Sequence, residues 1–130
     1  MPTLANSAVE RIKFLKRIDF TYAVDFAGRD ATAVDAFNLP PGATVLSALV
    51  VTTTAFNSLT SDTMAVGDTD SGTFYHSAAD VHAAGSVNAA KGKDYPSGGT
   101  IRMAWDGTGT APTAGAGYLV VEYAIHPDFI

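Results

Sequence analysis

The 130-residue chain has the size of one domain, and it carries a net charge of −5 that is unevenly placed, since three cations face ten carboxylates from Asp30 onward. An acidic body excludes nucleic acid as the main partner, because phosphate binding depends on clustered lysine and arginine. The absence of cysteine excludes disulfides and thiolate metal sites, and no apolar run is long enough to span a bilayer or to act as a signal peptide, so we expect a soluble protein without a membrane partner.

The first strand signal follows a basic segment. Residues 1–8 have no periodicity and are expected to form a tail or an arm that orders on binding. Over residues 17–26 apolar side chains alternate with mostly polar ones, which predicts a half-buried strand. Residues 10–16 fit either one helical turn or an extension of that strand. We therefore divide the chain into an N-terminal arm, residues 1–17, and a single domain, residues 18–130.

The rest of the chain consists of short β segments separated by turns. A Pro-Pro-Gly turn at residues 40–42 precedes a long segment rich in valine, threonine and leucine. Strands are predicted at residues 44–56, 63–66, 73–76, 100–105 and 118–125, with an ambiguous stretch at 80–93 that has room for one short strand. Seven or eight strands without an amphipathic helix predict an all-β fold, either an antiparallel sandwich or a barrel, with Greek-key or jelly-roll connections. Of these we favour a jelly-roll-like antiparallel β-sandwich with an N-terminal arm.

Two groups of side chains contain the residue types of a metal site. The first group is Asp62, Asp68 and Asp70. An Asp-Gly turn explains it more simply than a weak metal site, because its glycine does not have the spacing of a calcium loop. The second group is His76, Asp80 and His82. Its spacing suits neither one helix face nor alternate positions of one strand, so we predict no metal and no cofactor.

No pattern of catalytic residues is present. The glycine clusters lack the context of a phosphate-binding loop, and no nucleophile elbow or Ser-His-Asp set is marked by spacing, so we expect no enzyme. Three aromatic residues, Tyr75, Tyr95 and Trp105, suggest a sugar-binding platform if their rings are exposed. Because Trp105 alternates with Ile101 and Met103, we expect its ring to lie in the core, which disfavours a carbohydrate-binding module.

A resemblance covers about two-thirds of the chain, from Leu39 to Tyr123. It is carried by Leu-Pro-Pro-Gly-Ala-Thr-Val, Val-Val-Thr-Thr-Thr-Ala-Phe, Met-Ala-Val-Gly-Asp-Thr-Asp and a closing strand that ends in Val-Glu-Tyr. This order of turns and strands resembles small β-sandwich proteins of tailed-bacteriophage virions, of the capsid decoration (cement) and head-fibre type. The composition agrees, since only 16% of the residues are charged, as suits a surface covered by neighbours.

The resemblance implies a homotrimer on the exterior of an icosahedral head, made in the host cytoplasm and bridging subunits of the major capsid protein. It also implies that the N-terminal arm clamps the capsid, with Arg11, Lys13, Lys16 and Arg17 as the charged contacts. The alternative for these cations is a solvated face of the first strand. The alternative for the whole chain is a structural component of the phage tail or neck, where ring symmetry would replace threefold symmetry.

Overall fold

A computed structural model describes residues 11–125 of the chain, which form nine strands and one π-helical turn. The elements are β1 (Ile12–Thr21), the π-helical turn (Tyr22–Phe26), β2 (Ala33–Leu39), β3 (Ala43–Thr54), β4 (Ser61–Asp68), β5 (His76–Asp80), β6 (Gly85–Ala89), β7 (Lys93–Tyr95), β8 (Gly99–Thr108) and β9 (Ala116–Ile125). Within this range no helix has the length and apolar character needed to cross a membrane.

The strands form two antiparallel sheets. The five-stranded sheet has the order β1-β9-β3-β6, with β7 pairing with β3 beside β6, and the four-stranded sheet has the order β2-β8-β4-β5. Successive strands cross from one sheet to the other except at the β4–β5 and β6–β7 steps. These crossings are the connections of a jelly roll, and they confirm the predicted all-β, antiparallel β-sandwich.

The core lies between the two sheets and follows the two-residue alternation of the strands. Its buried apolar side chains on the four central strands are Val45, Ala48 and Val50 of β3, Leu119 and Val121 of β9, Met64 and Val66 of β4, and Ile101, Met103 and Trp105 of β8. Each large aliphatic side chain buried in this way stabilises the fold by roughly 1.5–3 kcal/mol. The prediction that Trp105 lies inside is confirmed.

The first strand differs from its prediction at both ends. It begins at Ile12 and pairs with β9 along its whole length, so residues 12–17 extend the strand and the predicted boundary at residue 17 falls inside β1. Residues 1–10, the rest of the predicted arm, lie outside the described residues. The strand ends at Thr21, and the alternating residues that follow form the π-helical turn instead of more strand.

Two side chains close that turn. The hydroxyl of Thr21 accepts a hydrogen bond from the amide of Val24 (3.3 Å), and the carboxylate of Asp25 accepts one from the amide of Thr21 (2.8 Å). These side-chain acceptors compete with strand pairing for the backbone amides. The turn also buries Phe26 in the core, so the apolar alternation is satisfied without a strand.

The segment around residue 73 is the other departure. Asp68 accepts hydrogen bonds from the amides of Asp70 and Ser71 (both 2.9 Å), as predicted for an Asp-Gly turn. The turn continues to Tyr75, whose amide donates to the carbonyl of Val66, so the strand predicted at residues 73–76 is wrong and β5 begins only at His76. Strand β6 is the single short strand expected within residues 80–93, and the three-residue β7 was not predicted.

A glycine substitution tests the close approach of β3 and β9. A methyl group on Gly117 would overlap the carbonyl oxygen of Val51, whereas one on Gly72 would meet no atom within 4 Å. We expect G117A to lower the free energy of unfolding by about 1–3 kcal/mol, because overpacking displaces backbone, and G72A to change it by less than about 0.5 kcal/mol. Urea unfolding followed by circular dichroism measures both, and equal stability of the two variants would contradict this packing.

Candidate interaction surface

Strand β1 is an edge of the five-stranded sheet and pairs only with β9 within the described residues. Its side chains alternate between two sides. Phe14, Ile18 and Phe20 pack on the core, whereas Lys13, Leu15 and Arg17 face outward. An unpaired strand edge invites strand addition from another chain. The outward side chains of β1 therefore decide how this edge meets a partner.

The four predicted contact cations do not form one patch. Lys13 and Arg17 lie on the outward side of β1 with Leu15 between them, whereas Lys16 falls on the inward side at the open rim between the sheets, where it remains exposed. Arg11 lies at the end of the sandwich, where its guanidinium donates to the carbonyl of Gly42 (3.3 Å). Strand alternation therefore splits the basic segment into two or three separate contacts.

The outward cations each have a carboxylate partner and remain open to solvent. Lys13 Nζ lies 2.9 Å from Glu122, and Arg17 Nε lies 2.9 Å from Asp19, with side-chain exposures of 62% for Lys13 and 60% for Arg17. Exposed ion pairs of this kind contribute only about 0–1 kcal/mol. Lys13 is therefore free to contact a second molecule at little cost, whereas the guanidinium of Arg17 also stacks on Tyr118, 3.8 Å from the ring centroid.

Apolar side chains accompany them on this face. Leu15 is 69% exposed between the two cations. On the neighbouring strands, Val120 lies beside Arg17 and Leu49 lies beside Val120. Single exposed apolar side chains are ordinary, but an exposed leucine next to half-buried aliphatic residues is typical of an interaction surface. We call Lys13, Leu15 and Arg17 the β1 outer face.

The outer face of the four-stranded sheet is acidic and has three rows of side chains. The first row is Asp106, Thr63 and Asp80, the second is Ala33, Ala104 and Ala65, and the third is Asp35, Arg102 and Gly67. Arg102 donates to Asp35 (2.8 Å), and within the described residues no cation lies within ion-pair distance of Asp80 or Asp106. We call these three rows the acidic sheet face.

The loops at one end of the sandwich carry the most exposed large apolar side chains of the described residues. Val24 is 80% exposed and Leu59 is 76% exposed. Their loops meet the β8–β9 loop, since the amide of Tyr22 donates to the carbonyl of Gly115 and Asn57 bonds to Thr113. This end is a second surface open to partners, but its polar groups bond to each other and do not converge on a ligand.

Asp62 is fully buried and belongs to the structure of the loops. It accepts hydrogen bonds from the amide and hydroxyl of Ser58 (3.0 and 2.6 Å), from the indole of Trp105 (2.9 Å) and from Nδ1 of His82 (2.7 Å). Burial alone would raise the pKa of Asp62, but these hydrogen bonds outweigh burial and hold its pKa below the ordinary value. The carboxylate therefore stays ionised in the interior.

A second buried network surrounds Asp68 at the opposite end of β4. Asp68 accepts from Lys93 Nζ (2.6 Å) and from the hydroxyl of Tyr95 (2.7 Å), which in turn accepts from Tyr75 (2.6 Å). Burial opposes ionisation of Asp68, but its hydrogen bonds and the charge of Lys93 lower its pKa. Burial raises the pKa of Tyr75 to about 12 and also raises the pKa of Tyr95, so both phenols stay neutral donors.

These two networks separate the candidate metal ligands. Asp62 and Asp68 lie at opposite ends of β4, and Asp70 points into solvent near Lys93. His76 donates to the buried carbonyl of Ala48 (2.7 Å), whereas His82 bonds to Asp62. In residues 11–125 no three histidine or carboxylate side chains are grouped closely enough to hold a metal ion, so neither candidate ligand group is assembled.

The sugar platform is also absent from the surface. Tyr75, Tyr95 and Trp105 are all buried, and their polar atoms are bonded to one another or to the two aspartates. A ring that lies inside the core cannot stack on a sugar. The carbohydrate-binding hypothesis based on these three residues is therefore wrong.

Three solved structures contain a chain with a similar fold. No family model matches the chain, and no curated protein matches it. A chain of the cyanophage Pam1 capsid asymmetric unit is 23% identical over 88% of this chain and 86% of that one, with a TM-score of 0.69. The two chains share one fold. Chains of the acid-stable capsid of Helicobacter pylori bacteriophage KHP30 (15% identity, 91% and 94% covered, TM-score 0.66) and of the capsid of Ralstonia phage GP4 (14%, 88% and 84%, 0.63) also match.

Replacement of the buried carboxylate tests its structural role. Because its pKa is lower in the folded state than the ordinary value of 3.8, Asp62 stabilises the fold at neutral pH, and this contribution is lost as the pH falls through the folded pKa. We expect D62N to lower the free energy of unfolding by about 1–3 kcal/mol at pH 7, with a deficit that shrinks below pH 3.8.

Unfolding curves recorded between pH 7 and pH 2 measure this deficit. The control is D70N, which removes an exposed carboxylate and should change stability by less than about 0.5 kcal/mol. A D62N deficit that stays constant to pH 2 would show that the charge of Asp62 does not stabilise the fold.

Proposed function

We propose that this chain is a virion structural protein of a bacteriophage, a decoration (cement) protein that binds the outside of the head as a homotrimer and bridges subunits of the major capsid protein. The observation that carries the proposal is the match to three phage capsid chains over 84–94% of their own lengths. Matches of this extent indicate that those chains are themselves single domains of similar size. Phage capsid structures therefore contain single-domain chains of this size and fold.

The surface supports the same role. Exposed apolar side chains, few charges and two sheet faces with different charge suit a protein that makes several modest contacts at once. On a lattice, such contacts add up through effective concentration, so each can be weak on its own. The absence of cysteine suits assembly in the reducing cytoplasm of a host. The proposal gives the chain no catalytic activity.

Binding to the capsid tests the proposal directly. The particles are heads of the phage that encodes the chain, produced with its gene deleted. We expect the purified protein to have three times the 13.5 kDa chain mass by light scattering and to sediment with these heads up to a fixed stoichiometry. A larger ring that binds tails instead would favour the tail or neck, and no binding to either particle would overturn a virion role.

A charge reversal tests which cations dock to the capsid. Arg11 and Lys16 have no carboxylate within ion-pair distance among the described residues, and both are exposed within residues 1–17, the segment proposed to clamp the capsid. We expect R11E/K16E to lower head occupancy at least about tenfold while the trimer mass is unchanged, since reversing a charge turns attraction into repulsion.

The matched control for this pair reverses two exposed cations that lie outside residues 1–17. R29E/K91E changes the net charge by the same amount, so it separates a local contact from a general charge effect. Equal loss of occupancy in the two double variants would contradict a clamp formed by Arg11 and Lys16.

A further inference from the structure

We propose that the outer face of the five-stranded sheet is the contact between copies of this chain, and that three copies turn it toward a common threefold axis. The inference rests on the proposed function in taking a homotrimer, and it adds the surface that is buried and the residues that meet. We call this surface the five-strand face, defined by the outward side chains of β1, β9, β3 and β6.

The centre of the five-strand face is apolar. Tyr118 and Val120 of β9 lie beside Val51 and Leu49 of β3, and all four side chains are half-buried. Leu15, which is 69% exposed, lies on the border of this block. The solvent side of an antiparallel sheet ordinarily carries polar side chains. An apolar centre inside a polar rim is therefore typical of a protein–protein contact.

The rim of the five-strand face suits contact with a copy of itself. On β1, Lys13 and Arg17 are each paired with a carboxylate, so their charges are balanced, and β6 contains no charged residue. On the acidic sheet face, by contrast, Asp80 and Asp106 have no cation partner among the described residues. Because the chain carries a net charge of −5, two copies repel least through the balanced face.

The width of the sheet fits a threefold arrangement. Four strands about 4.8 Å apart make a face about 19 Å wide, and three such faces around one axis form a prism whose walls lie about 5–6 Å from that axis. This distance is about half of the separation of two packed sheets, which is about 10 Å. The apolar side chains of three copies therefore meet at the axis and fill the prism.

The face is also large enough for a stable contact. Strands β1 and β9 have 10 residues each, which makes the face about 33 Å long and about 600 Å² in area. Specific interfaces bury at least about 600 Å² on each partner, so the face reaches this lower bound.

The register of the strands determines which residues meet at the corners of the prism. One row across the four strands contains Arg17, Val120, Leu49 and Asn88. Rotation about an axis parallel to the strands keeps each row at one height, so Arg17 of one copy lies beside Asn88 of the next. The side-chain carbonyl of Asn88 is an acceptor for the guanidinium, and this corner is therefore polar without charge repulsion.

Two cysteines test this corner. Within one copy, positions 17 and 88 are about 14 Å apart across the sheet, whereas a disulfide needs Cα atoms within about 7 Å. Since the natural chain has 0 cysteines, oxidised R17C/N88C can cross-link only between copies, and we expect a covalent trimer on a non-reducing gel. The control K16C/N88C places the first thiol on the other side of β1, and we expect it to cross-link at least about tenfold less.

A charge at the apolar centre tests the same face. V120E brings three carboxylates together at the axis, and we expect self-association to weaken at least about 100-fold, giving monomers by light scattering. The control A104E adds the same side chain to the central strand of the acidic sheet face, and we expect its trimer to persist. Circular dichroism checks that both variants are folded, and the cross-linking experiment decides the question if V120E is not.

Three results would overturn the arrangement. They are a folded V120E that remains a trimer, a trimeric R17C/N88C that does not cross-link, and cross-linking that stops at covalent dimers. Head binding by the wild-type protein is scored separately. Bound heads together with any of these results reject only this arrangement, whereas the expected cross-linked trimer without head binding rejects only the capsid role.

Discussion

The antiparallel pairing of β3 with β9 holds the five-stranded sheet together. β9 connects β3 to the edge strand β1, and β3 carries both β6 and β7 on its other side, so every strand of this sheet depends on these two. The pairing spans Ala43 to Thr54 and continues through two bulges, which add twist where the strands pass over the core. The pairing of β3 with β9 joins distant parts of the chain. Folds that depend on such non-local pairing fold slowly, because a long loop must close before the contact forms.

The buried carboxylates have a related structural role. Asp62 and Asp68 lie at the two ends of β4, and each binds a loop through several donors, so both ends of the sandwich are fixed from within. An ionised group is tolerated inside a protein only when its hydrogen bonds are satisfied, and no buried side-chain polar atom of the described residues lacks a partner. The polar groups of the interior are therefore used in holding the fold, and the chemistry available to a partner lies on the sheet faces and exposed loops.

Much of the fold could be predicted from the sequence, because period-two alternation and turn residues carry most of the information in a sandwich. The strands around residues 44–56, 63–66, 100–105 and 118–125 follow directly from that alternation. The π-helical turn could not, because Tyr22, Val24 and Phe26 continue the alternation while Asp25 closes the backbone. The acidic sheet face could not be predicted either. Asp80 of β5 and Asp106 of β8 come into one row only because both strands pair with β4 at Thr63.

The basic segment shows why register matters more than composition for a surface of this kind. Four cations within seven residues look like one patch in the sequence, but a strand sends alternate side chains to opposite sides, and here Lys16 faces the rim while Lys13 and Arg17 face outward. A charge that points inward at an edge strand opposes the addition of another strand there. The edge of β1 is thus protected against open-ended strand pairing.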